Sequence, residues 1–159
     1  DLRGTKADVW EAGHRVPFFA RWPEVIAAGS KCERTTAHVD LFATCAEIAG
    51  VELPGDAAED SFSWLPLFRG GDWAKPRAPV INHSAGGMFA LRSGKWKLVA
   101  GNGSGGREVP KGKPFGKPYR LFDLSSDTGE SNDLATAKAD LVGKLTRKLE
   151  AIRANGRSR

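Results

Sequence analysis

Leu91-Arg92-Ser93-Gly94-Lys95-Trp96-Lys97-Leu98 reads as the centre of a β-hairpin. Ser93-Gly94 supplies a tight turn, Met88 to Arg92 runs into it as one strand, and Lys95 to Ala100 leaves it as another. In that second strand Trp96 and Leu98 alternate with lysines, the period of a strand with one face covered. Outward from the hairpin, Pro79 to His83 reads as a preceding strand and Tyr119 to Leu124 as a following one. Residues 101 to 118, rich in Gly, Lys and Pro, read as a loop between them. Asp133 to Ala154 carries Leu134, Leu141, Leu145, Leu149 and Ile152 at helical spacing. Residues 78–159 are therefore expected to close as an antiparallel sheet of about four strands with one packed C-terminal helix, a small α+β subdomain.

The residues before Ala78 do not close in the same way. Val16-Pro17-Phe18-Phe19-Ala20-Arg21-Trp22 reads as a largely buried strand ended by Pro23. Asp40 is placed to cap a helix through its carboxylate. Leu41, Phe42, Cys45, Ile48 and Ala49 then share one helical face, and Gly50 suits the stop. On that face Cys45 is expected to be a buried, inert thiol. Ser61 to Arg69 suggests a short helix. One apolar strand with one or two helices leaves strand edges and faces unpartnered. Residues 1–77 are thus expected to be the end of a larger mixed sheet, giving an α/β fragment followed by the α+β subdomain.

The 159 residues are 40% hydrophobic and 27% charged, an ordinary soluble composition. No apolar run approaches the ~20 residues of a membrane-spanning helix. The chain opens on Asp1 and its single methionine is Met88, which suggests a fragment, a processed product or a trimmed chain. Lys and Arg exceed Asp and Glu to leave a net charge of +5. Nucleic acid, acidic lipid and anionic polysaccharide all respond to such a field. Two cysteines, Cys32 and Cys45, have neither disulfide-framework nor metal-site spacing.

Four segments taken in order resemble the sulfatase family of the alkaline-phosphatase-like superfamily. Leu2-Arg3-Gly4-Thr5-Lys6, followed by Trp10-Glu11-Ala12-Gly13-His14-Arg15-Val16-Pro17 and Arg21-Trp22-Pro23, is similar to L-R-G-x-K, W/Y-E-G-G-x-R-V-P and R-W-P. His38-Val39-Asp40-Leu41-Phe42-Ala43-Thr44, ending in Ala49-Gly50, is similar to H-x-D-L-F-P-T and A-G. The hairpin itself resembles R-x-G-x-W-K-L. Leu121-Phe122-Asp123-Leu124 through Asp127-Thr128-Gly129-Glu130, Asn132 and Leu134 resembles L-Y-D-L-x-x-D-P-G-E-x-x-N-L. The departures, Ala12 for glycine and Ala43 and Thr128 for prolines, touch turns and caps.

The resemblance implies a sulfuric ester hydrolase that uses a formylglycine, made in a C/S-x-P-x-R motif, and a calcium ion held by aspartates and an asparagine. Neither is expected here, since Cys32 is followed by Glu33-Arg34, Cys45 by Ala46-Glu47, and no D-N-G segment occurs. The chain is expected to start just after that segment, with no metal ligand of its own. Lys6 matches the lysine that contacts the sulfate. A compact ammonium suits a site where negative charge builds on oxygen as the S–O bond breaks. His83, at a strand end leading into Gly86-Gly87, and His14, near Lys6, are candidate substrate contacts. Glu11 and Arg15 are expected to form a structural ion pair, and Asp127 to Asn132 a structural turn. The implied substrate is a sulfated small molecule or polysaccharide, and the implied location periplasmic or secreted. The rival reading is a non-catalytic basic module holding anionic polysaccharide through Arg107, Lys111, Lys113, Lys117 and Arg120. Nucleic acid has little support, because only Phe115 and Tyr119 lie among those cations and no recognised motif occurs. No membrane partner is expected.

Overall fold

A computed structural model describes residues 1–159. The chain divides into two compact units: Asp1–Pro17 with Pro79–Ala154, and Phe18–Ala78 with Asn155–Arg159. Residues 1–17 pack with the hairpin strands.

In the first unit the strands are β1 (Val80–His83), β2 (Phe89–Ser93), β3 (Trp96–Ala100) and β4 (Arg120–Asp123). They form an antiparallel meander in the order β1-β2-β3-β4, as the sequence pattern predicts. Ala90 faces Val99, Arg92 faces Lys97, and Lys97 faces Phe122, so these residues share one side of the sheet. Leu91, Leu98 and Leu121 share the other.

Each side has its own cover. Leu98, Leu121 and Tyr119 pack with Leu145 and Leu149 of α4 (Ala139–Asn155). The helix starts later than its apolar pattern suggests. Asp133 instead receives the Leu121 and Ala135 backbone N–H groups, at 3.1 and 3.0 Å, which holds the chain in a turn against β4. On the opposite side Val9 and Trp10 pack with Met88, Ala90, Val99 and Phe122. The Trp10 ring meets Phe122 edge-on at 6.0 Å. This second cover continues into a single helical turn, α1 (Glu11–His14), which the sequence reading did not anticipate. A sheet buried on both sides explains why β3 is buried at Lys97 as well as at its apolar positions.

The second unit holds α2 (Asp40–Ile48) and α3 (Leu65–Phe68). Three expectations are overturned in it. Asp40 is not a cap: its carboxylate is buried and receives the Arg77 guanidinium at 2.6 and 3.2 Å, Trp64 Nε1 at 3.1 Å and the backbone N–H groups of Ala37 and Phe62. Because Asp40, Ala43 and Thr44 face inward, Leu41, Phe42, Cys45 and Ile48 lie exposed, so the Cys45 thiol is not buried. Val16 to Trp22 forms no strand. It has no ladder partner, and the Phe19 side chain is 92% exposed. The α3 turn is shorter than the Ser61 to Arg69 expected. No helix is long and apolar enough to cross a membrane.

Asp40 concentrates the polar satisfaction of this unit. Removing it leaves the Arg77 side chain, only 6% exposed, without its counter-charge. Asp40→Ala should therefore lose about 3–5 kcal/mol, the cost of breaking a buried pair. Urea unfolding followed by tryptophan fluorescence measures it, and a loss below ~1 kcal/mol would contradict this role.

Candidate functional site

Residues 1–14 reach the site because of a buried ionic cluster. The Lys97 ammonium lies 3.0 Å from Glu11 Oε1 and 2.7 Å from Glu130 Oε1, and its side chain is 1% exposed. Glu130 Oε2 accepts the Glu11 backbone N–H at 2.6 Å. Arg92, directly opposite Lys97 across the β2–β3 ladder, lies 3.5 Å from Glu11 Oε2. Two cations side by side on a sheet repel each other. Here the Glu11 carboxylate sits between them.

Burial pushes the Glu11 carboxyl up, but Lys97, His14 and Arg92 outweigh it and hold Glu11 below the usual carboxylate range. Burial raises Glu130 instead, and the nearby Glu11 charge adds to that despite Lys97. The expected Glu11–Arg15 pair is present at 4.0 Å but is the outermost of these contacts. His14 Nε2 is 3.3 Å from the Lys97 ammonium and 3.7 Å from Glu11. Burial and the Lys97 charge depress its pKa to about 4. The structure thus places His14 in the ionic cluster as a neutral imidazole, among protein groups.

Upstream of the cluster the chain makes a tight turn that carries Lys6. Asp8 Oδ2 accepts the Thr5 N–H at 2.9 Å, and Asp8 Oδ1 accepts the N–H groups of Arg107 and Glu108 at 2.5 and 3.1 Å. Burial opposes the charged Asp8 carboxyl, yet these backbone bonds and Ser104 keep its pKa below the ordinary value. Ala7 has φ of 86°, a left-handed conformation that a residue with a Cβ keeps only when its surroundings enforce it. The enforcement is visible. Ala7 C=O accepts the Ala85 N–H at 2.9 Å, and Val9 N–H donates to Ser104 at 2.9 Å. A Cβ at Gly106 would sit 2.3 Å from the Ala7 carbonyl oxygen, so only glycine permits that approach. Lys6 itself is exposed at the turn.

The Ala7–Ala85 bond brings the Lys6 turn beside the loop that follows β1. His83, the last residue of β1, is exposed there, with its Nδ1 3.0 Å from the Ser84 carbonyl and its ring 6.0 Å from Phe89. Lys6 and His83 are therefore brought to neighbouring loops, and His14 is not among them. Between the loops lies a cleft of about 530 Å³, lined by Ala7, Ala85, Gly86, Arg107, Lys111 and Pro114 among others. Of the five cations in the rival basic module, Lys117 lies 3.5 Å over the Tyr119 ring and Arg120 donates to the Asn102 carbonyl. Lys97, Glu130 and Asp8 were missed from the sequence. The available signal was a charge mid-strand in β3, with Glu11 and Glu130 in the motif segments on either side.

No three His, Cys, Asp or Glu side chains are gathered as a metal cluster would require.

The family model described as Sulfatase matches residues 1–51. The chain is 30% identical over 153 residues to an N-acetylgalactosamine-6-O-sulfatase of Bacteroides thetaiotaomicron, covering 95% of this chain and 30% of the relative. It is 33% identical over 156 residues to the steryl-sulfatase of Homo sapiens, covering 85% of this chain and 26% of the relative. Among solved structures, a chain described in connection with the metabolism of multiple glycosaminoglycans by Bacteroides thetaiotaomicron superposes with a TM-score of 0.81. Its identity is 29%, with 96% of this chain and 32% of that chain covered. The chain thus spans about a third of the length of the relatives it matches.

The depressed His14 pKa sets a pH dependence. A group whose folded pKa lies below its unfolded value contributes stability above the unfolded pKa and loses it as pH falls through the folded one. For His14 that window runs from 6.5 down to about 4. Glu11 acts in the same direction and Glu130 in the opposite one. Denaturant unfolding between pH 6.5 and 4 should therefore show a shallower loss of stability in His14→Gln than in the unsubstituted chain. Identical slopes would contradict a neutral, buried His14.

Proposed function

The chain belongs to the sulfatase family, whose members are sulfuric ester hydrolases, and from that premise we propose that it carries the sulfate-binding lysine, Lys6, of an enzyme that hydrolyses sulfate esters of sugars. The observation that supports the reading is the Lys6 turn. Its backbone is tied to three other segments through Asp8, Ala7 and Val9, while the ammonium is left at the surface. A charge held on a rigid support needs no reorganisation when negative charge develops on a sulfate oxygen, which is how a preorganised cation lowers a barrier. The sugar class is suggested by the N-acetylgalactosamine-6-O-sulfatase relative. His83, on the neighbouring loop, is the better placed of the two histidines to meet a substrate. His14 serves by holding α1 in place.

Calcium and formylglycine belong to the family's chemistry, but the residues of this chain do not fit either role. Its acids do not converge on a metal site, and neither exposed cysteine begins a C-x-P-x-R motif. No step of this reading passes through them. Within it, residues 1–77 are the end of a catalytic α/β domain and 78–159 its C-terminal subdomain, with the sheet of the second holding the first seventeen residues. A periplasmic or secreted location goes with the same reading.

In a complete enzyme containing this chain, Lys6→Ala should lower kcat/KM for a sulfate ester by about 10²-fold or more. Lys6→Arg should rescue poorly, since a planar guanidinium is larger and aims its donors differently. Steady-state kinetics on an aryl sulfate checks this. Near-wild-type activity in Lys6→Ala would remove the role assigned to that residue.

A further inference from the structure

The cleft beside the Lys6 turn has a chemistry of its own. Its volume, about 530 Å³, is that of an ordinary ligand site. Its walls are mostly glycine and alanine, with Arg107 and Lys111 as its charged members. Five backbone donors of those walls are already used within the chain. The Ala85 N–H goes to Ala7, Gly86 to Gly105, Gly105 to Lys111, Gly106 to Ser104 Oγ and Arg107 to Asp8. The charge that attracts an anion into the cleft comes from its side chains.

Two are present, Arg107 and Lys111, both exposed and neither within ion-pair distance of a carboxylate. The acids nearest in sequence are committed elsewhere. Glu108 receives Arg3 at 2.5 and 2.8 Å, and Asp8 receives backbone N–H groups. A cleft with two unpaired cations and no competing acid attracts an anion. Its floor is rigid, because the loop of residues 101–118 is tied down by the Ser104 to Pro110 and Gly105 to Lys111 bonds.

We propose that this cleft is a subsite for a second sulfate group of an oligosaccharide, held by Arg107 and Lys111, next to the sugar whose sulfate ester Lys6 contacts. The inference rests on the sulfatase reading and extends it: the substrate is a multiply sulfated glycan rather than a small monosulfate. Arg107 and Lys111 act on binding and on the choice of substrate, and the small ester needs neither.

The test has two arms. In the first, the 159-residue chain is titrated calorimetrically with a chondroitin 6-sulfate tetrasaccharide and with its desulfated counterpart. The expected result is binding of the sulfated form alone, weakened at least 10-fold in Arg107→Ala/Lys111→Ala. Lys144→Ala/Lys148→Ala, which removes the same charge from α4, should bind as the unsubstituted chain does. Equal weakening in both double variants, or no binding, would overturn the subsite. In the second arm, a complete enzyme is assayed on an aryl sulfate and on the tetrasaccharide. Arg107→Ala/Lys111→Ala should raise KM for the tetrasaccharide at least 10-fold and leave the aryl sulfate unaffected. Aryl sulfate turnover with an unchanged tetrasaccharide KM would defeat the subsite alone, whereas no turnover of either ester would defeat the sulfatase reading beneath it.

Discussion

The Lys97 ammonium is the interaction on which the arrangement of the N-terminal residues depends. It lies on a β-strand, on a side of the sheet it shares with Ala90, Val99, Phe122 and Arg92, and two carboxylates from distant parts of the sequence close over it. One of them, Glu11, is on the single helical turn that lies across the sheet. The other, Glu130, follows β4 and also receives the Glu11 backbone N–H. A buried charge is costly unless it is both paired and hydrogen-bonded. That cost is what makes the position of α1 specific: alternatives that slide α1 along the sheet would strand Lys97, Arg92 or Glu130. Apolar packing of Val9 and Trp10 supplies attraction without direction, and the ionic cluster fixes the register.

The consequences run outward from there. With α1 fixed, Asp8 lies where the loop of residues 101–118 can donate Arg107 and Glu108 N–H groups to it, and the Arg3 guanidinium stacks 3.9 Å over Trp10 while pairing with Glu108. The turn between Arg3 and Asp8 is then held at both ends, and Lys6 is its exposed tip. The same loop forms the far wall of the cleft. A structural ion cluster and a candidate binding surface are thus two ends of one short segment.

The hairpin was legible in the sequence because every local signal agreed: the Ser93-Gly94 turn, the strand period and the apolar residues of β2 and β3. The C-terminal helix was legible from Leu145 and Leu149, though not its start, because Asp133 chose a turn. What escaped were the features decided by contacts between remote residues. Lys97 alternates with Trp96 and Leu98, so period alone assigns it to solvent, and only the approach of residues 8–14 covers that side. Asp40 precedes an apolar helix and so resembles a cap, yet Arg77 and Trp64 claim its carboxylate. Val16 to Trp22 has the composition of a buried strand, but composition does not supply a ladder partner, and in this chain it has none. Of the candidate site, Lys6 and His83 fell on adjacent loops, while His14, much closer in sequence to Lys6 than His83 is, turned inward to the cluster.

Amide hydrogen exchange in the unsubstituted chain and in Lys97→Met tests the central claim most directly. The Met side chain keeps the volume, leaves Glu130 buried without a cation and leaves Glu11 only Arg92 and Arg15, a change worth roughly 3–5 kcal/mol at the site. The account predicts that the Val9, Glu11, Ala85 and Arg107 amides, which tie the Lys6 turn in place, lose protection by about 10²-fold or more, and lose more than the Leu98 and Leu149 amides of the far side. Unchanged protection at Val9 and Ala85 in Lys97→Met would contradict it, and the position of the turn would then be owed to apolar packing alone.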